Sequence, residues 1–163
     1  MFSRLNLKQR HQKLVHKTFQ QYIKATRQFW EIAERRAIYR SPNNQALLKA
    51  AFGLQILLID RQSLRYEHLI RASSGEQIPW KTLADISHRL DSEWSEADER
   101  SIASSVPRYA YLSKEVDRLS ASLDATALSD CITVLEQDSK YRSARQAIAM
   151  KVQQLRDRLN AVA

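Results

Sequence analysis

Beyond its carboxylates, the residues of this chain most suited to binding a metal are four histidines, His11, His16, His68 and His88, and one cysteine, Cys131. Helical metal sites repeat their ligands at i, i+3 or i+4, because only those spacings bring two side chains onto one helix face. Neither an HExxH nor an E-x-x-H pair occurs, and Glu67 and His68 are adjacent, so they point to different faces. No metal and no cofactor are expected. A lone cysteine excludes an internal disulfide framework and a multi-cysteine zinc site, and Cys131 reads as a small buried apolar residue. With two glycines, the chain has no material for phosphate-cradling loops or nucleophile elbows. What remains is arginine followed by histidine: Arg61 and His68 with six residues between, Arg10 and His16 with five, Arg4 and His11 with six. Among 26 Lys and Arg these spacings arise easily by chance, so no catalytic residue is assigned.

The elements that would carry these residues are helices. Two glycines and three prolines are too few for the tight turns of a strand-rich fold. At 44% hydrophobic and 27% charged, the 163 residues have the composition of one globular domain, 1–163, with a core of its own. The expected architecture is all-α: a compact bundle of about six or seven helices, the first two long and antiparallel. A first helix is predicted from about Leu5 to Arg40, with Val15, Phe19, Tyr22, Ile23, Phe29, Trp30, Ala33 and Ala37 on one face. Its aromatics lie on that core-facing side, where packing is a better use of them than base stacking. Ser41-Pro42-Asn43-Asn44 should break it and offer caps to a second helix ending near Ala72. In that helix Gly53 costs roughly 1 kcal/mol against alanine, which close helix–helix approach would justify.

Ser73-Ser74-Gly75 reads as a loop, with a shorter helix from Pro79 to Ser92 after it. Ser95 and Asp98 have capping-box spacing, Pro107 suits a helix first turn running to about Leu123, and Asp124 and Ser139 sit where N-caps belong. They divide the remainder into helices 125–137 and 140–161. The most apolar run, Ala46 to Ile59, is interrupted by Lys49 and Gln55 and falls short of the ~20 residues of a membrane span, so no membrane partner is expected. Met1-Phe2-Ser3-Arg4 leads into a basic stretch instead of an apolar leader core, and a cytoplasmic location is expected.

Charge narrows the function. The net is +8, but residues 1–72 hold 14 Lys or Arg against 4 Asp or Glu, a net of +10, whereas residues 73–163 hold 12 against 14, a net of −2. On the first helix Arg10, Lys13, Lys17, Lys24, Arg27 and Arg35 share an outer face, interrupted by Glu31; on the second, Arg61, Arg65, His68 and Arg71 do. Rows of cations match phosphate ladders and release condensed counterions without reading bases. The candidate nucleic-acid-binding residues are therefore Arg10, Lys13, Lys17, Lys24, Arg27, Arg61, Arg65 and Arg71, with RNA or DNA backbone as the ligand and little sequence preference. The alternative is an adaptor that docks the same basic face on an acidic protein, with the acidic stretch 91–99 contributing.

Gln45-Ala46-Leu47-Leu48-Lys49 leading to Ala51-Phe52, in an apolar helix preceded by a basic one, resembles the small subunits of CRISPR Cascade-type surveillance complexes. The resemblance implies antiviral defence, a subunit without enzymatic activity, and protein neighbours on both sides, copies of itself among them. It also implies backbone contacts from Arg10, Lys13, Lys17, Lys24, Arg61 and Arg65. The Arg–His spacings resemble instead the helical HEPN ribonucleases, for which Arg61 and His68 would be the acting pair.

Overall fold

A computed structural model describes residues 4–72 and 83–162, and within them every element is helical. Seven helices follow one another: α1 Arg4–Arg40, α2 Gln45–Ala72, α3 Leu83–Ser92, α4 Glu96–Ser105, α5 Pro107–Ser122, α6 Ala125–Glu136 and α7 Ser139–Val162. The predicted loop at Ser73–Gly75 and the helix start at Pro79 lie outside the described residues.

Between α1 and α2 the chain reverses through one 3-10 turn, Pro42–Asn44. Proline forces the residue before it out of the α region, and Ser41 accordingly has φ −131°. The break falls where expected, but the Ser41 hydroxyl caps nothing. The resulting hairpin is sealed by aromatic rings. Phe19 of α1 stacks on Tyr66 of α2 at 4.2 Å between centroids, and both are fully buried. Nearer the turn, Trp30 meets Phe52 at 5.7 Å.

Three apolar clusters attach α3, α5, α6 and α7. Val15, Phe19 and Ile23 join Tyr66 and Leu69 with Ile86 and Leu90 of α3 and Leu159 of α7. Phe29, Ala33 and Ala37 join Leu48 and Phe52 with Leu135 of α6 and Tyr141 of α7. Because the start of α7 meets the end of α1 and its end meets the beginning of α1, the two helices run antiparallel. On the far side of α2, Leu54 packs on Leu112 and Val116 of α5. The all-α bundle with a long antiparallel first pair is the observed fold.

Local signals set the remaining ends. Ser95 Oγ accepts from the Asp98 N–H at 3.1 Å while the Asp98 carboxylate accepts from the Ser95 N–H at 3.0 Å, the reciprocal box expected for α4. Val106 alone, extended before Pro107, separates α4 from α5. The Asp124 carboxylate accepts from the Thr126 and Ala127 N–H groups and caps α6. At α7 the cap is Asp138, not Ser139: its Oδ1 accepts from the Lys140 and Tyr141 N–H groups at 2.8 and 3.3 Å. Asp138 also binds Arg36 through both oxygens, at 3.1 and 2.9 Å, and pairs with Arg40 at 3.1 Å. Burial works against its charge, but the two backbone N–H groups and Arg36 outweigh that and hold its carboxyl below the usual value.

Gly53 departs from its expected role. A Cβ added there would meet nothing within 4 Å, so no close helix approach depends on it. Gly53→Ala should therefore raise stability by about 1 kcal/mol, seen as a Tm higher by ~2–4 °C in thermal unfolding followed by circular dichroism.

Candidate nucleic-acid interface

α1 is covered on three sides, by α2, α6 and α7. Its fourth side is a ridge along which Lys13, Lys17, Lys24 and Arg35 are exposed, with Gln28 between the last two. None of these four cations makes an ion pair with a described residue. Arg10, at the beginning of the same ridge, is exposed too. From Lys13 to Arg35 the ridge runs about 33 Å at 1.5 Å per residue.

Four arginines of the basic half are used differently. Arg27 pairs with Asp60 across the hairpin and with Glu31 one turn on. Arg36 and Arg40 hold Asp138. Arg65 lies half-buried between Trp94 and Tyr109, its guanidinium carbon 4.8 and 5.8 Å from the two ring centroids. Arg65 donates to the Tyr109 hydroxyl at 2.8 Å and to Glu99 at 3.1 Å; the Tyr109 hydroxyl and the Trp94 indole N–H also donate to Glu99, at about 2.7 Å. Thus of the sequence-derived candidates Lys13, Lys17 and Lys24 stand together with Arg10, whereas Arg27 and Arg65 are bound into the fold. Arg61 is half-buried beside Arg65, and Arg71 is exposed at the end of α2.

Charge by element shows what the division into halves concealed. α1 carries 10 Lys or Arg against 2 Asp or Glu, a net of +8; α7 carries 6 against 1, a net of +5. Residues 83–136, comprising α3 to α6, hold 5 against 11, a net of −6. In α7 Lys140, Arg142, Arg145, Lys151, Arg156 and Arg158 are all exposed, and among the described residues only Arg145 of these six has an ion-pair partner, Glu136 of α6. Basic charge is concentrated on the antiparallel α1–α7 pair. In the sequence, the acidic residues upstream of α7 cancelled it; counting the last 24 helical residues separately would have found it.

Among the described residues no three His, Cys, Asp or Glu side chains are placed to hold a metal ion, and no helix is long and apolar enough to cross a membrane. His68 meets the edge of Trp94 at 6.4 Å, and His16 stacks on Tyr66 at 5.6 Å, so both imidazoles are engaged by aromatic rings. The side chains of Arg4, His11 and Cys131 lie outside those described. No family model, curated protein or solved structure matches the chain.

The Arg65 network makes a prediction about pH. Burial opposes ionisation of Glu99, but the bonds from Tyr109 and Trp94 and the charges of Arg65 and Arg61 prevail and lower its pKa. A carboxylate lowered in the folded state contributes stability that is present above its unfolded value of about 4.3 and is lost as pH falls through the folded one. The Tm difference between wild type and Glu99→Gln should accordingly be largest near neutrality and shrink below about pH 4. Tyr109→Phe, which deprives two charged groups of a buried hydroxyl, should cost about 1.5–3 kcal/mol in denaturant unfolding at neutral pH.

Proposed function

We propose that this protein is a non-enzymatic helical subunit that grips nucleic-acid backbone through the α1 ridge, with the exposed cations of α7 as a flanking surface. The observation that carries the reading is the segregation of charge: unpaired Lys13, Lys17, Lys24 and Arg35 form one exposed ridge, while the acidic side chains collect on α3 to α6. Lysines on a rigid helix act as point charges toward phosphates and discriminate poorly between bases. Affinity should therefore be steeply salt-dependent and nearly independent of sequence. The resemblance of residues 45–52 to Cascade small subunits suits a role inside a larger ribonucleoprotein, with protein neighbours on the faces the ridge leaves free.

The test is a fluorescence-anisotropy titration of RNA and DNA of mixed sequence between about 50 and 200 mM salt. The triple variant Lys13→Glu, Lys17→Glu, Lys24→Glu should weaken binding by about a hundredfold or more, with a salt slope shallower by about 2–3. Its circular dichroism should be unchanged, because all three side chains are exposed. Unaltered binding by the triple variant would sink the reading. Loss of a protein partner that survives nuclease treatment, without any nucleic-acid affinity, would establish the adaptor in its place.

A further inference from the structure

The ridge of α1 does not end with its last cation. One turn beyond Arg35, on the same face, Tyr39 is 83% exposed, and Ile32, one turn before Arg35 and two before Tyr39, is 44% exposed. Every other aromatic residue of α1 whose surroundings are described is buried or half-buried: Phe19, Tyr22, Phe29 and Trp30. Tyr39 makes no ring contact, hydrogen bond or ion pair with a described residue. Among the described residues nothing covers its ring, although a tyrosine ordinarily removes much of its apolar area from water.

Resting on the backbone-gripping reading, the geometry points to Tyr39 as a stacking platform for one unpaired base of a single strand whose phosphates lie along Arg35 and the lysines. A base in a duplex is already stacked and screened by its backbone, so a ring fixed on a helix ridge reaches only a base that is splayed out. Arg35, one turn away, is placed for the phosphate next to that base. Ile32, one turn before Arg35 and about 10.5 Å along the helix from Tyr39, adds apolar surface to the same face. Stacking on one ring is tolerant of base identity, since every base has a π-face. The ligand is thus single-stranded RNA or DNA, or the unpaired end of a duplex, held at one position by a ring and elsewhere by charge.

The experiment compares wild type, Tyr39→Ala and Tyr39→Trp on three labelled strands of roughly 20 nucleotides: a mixed-sequence single strand, its duplex and an abasic strand. Tyr39→Ala should weaken single-strand binding about tenfold at fixed salt, leave the salt slope unchanged and alter duplex and abasic affinity by less than about twofold. Tyr39→Trp should retain single-strand affinity. Wild-type affinity of Tyr39→Ala for the single strand overturns the inference, and so does an equal loss on the abasic strand. The lysine triple variant separates the two claims. Binding that needs the lysines but not Tyr39 removes the platform and keeps the ridge, whereas binding indifferent to the lysines removes both.

Discussion

The stack of Phe19 on Tyr66 sets the register of the two longest helices, and the rest of the molecule is arranged around that register. In an α-helix a slip of one residue turns every side chain by about 100°. Displacing this buried pair would therefore rotate Val15, Ile23 and Phe29 away from the partners that hold α3, α6 and α7. The Arg27–Asp60 pair, midway along the hairpin, is consistent only with the same register. With α2, α6 and α7 covering three sides of α1, the exposed ridge is simply the side that remains. Its composition can be predominantly basic, with Gln28 and Glu31 between Lys24 and Arg35, because no packing demand acts there.

Lysine and arginine divide the work in a way that follows from their shapes. A planar guanidinium suits fixed carboxylates and ring faces: Arg27 ties α1 to α2, Arg36 and Arg40 tie α1 to Asp138 at the start of α7, and Arg65 ties α2 to Glu99 of α4. The ammonium groups of Lys13, Lys17 and Lys24 remain outside. A formal charge of +8 thus overstates what the arginines offer a polyanion and understates what α1 and α7 offer together, since the acidic helices hide part of the sum.

Much of the fold was legible because its causes are local. The capping box at Ser95 and Asp98, the Asp124 cap, the Pro42 break and the apolar stripe of α1 act within a few residues, and each lies where periodicity and side-chain chemistry require. The misreadings concern residues whose role is set by distant partners. Arg65 sat on a basic face by periodicity, yet Glu99 and Tyr109, 34 and 44 residues away, claim it. Asp138 and Ser139 are both cap-forming residue types, and the choice falls to Asp138, which also answers Arg36. The glycine at 53 suggested a close approach because helices rarely carry one without cause, and the structure supplies none. Tyr39 was passed over because it lies off the core stripe.

The Asp138 junction bears on how the chain assembles. Arg36 and Asp138 are 102 residues apart, so the contact that anchors the start of α7 closes a very long loop. Closing one of that length costs chain entropy that only the docking of α7 can offset, whereas the α1–α2 hairpin closes through a three-residue turn. Loop-closure entropy therefore favours closing the hairpin before α7 docks, and until then Phe29, Ala33 and Ala37 lack the Leu135 and Tyr141 side chains that complete their cluster. Until α7 arrives, that strip is the surface on which a folding chain would stick to its neighbours or engage a chaperone.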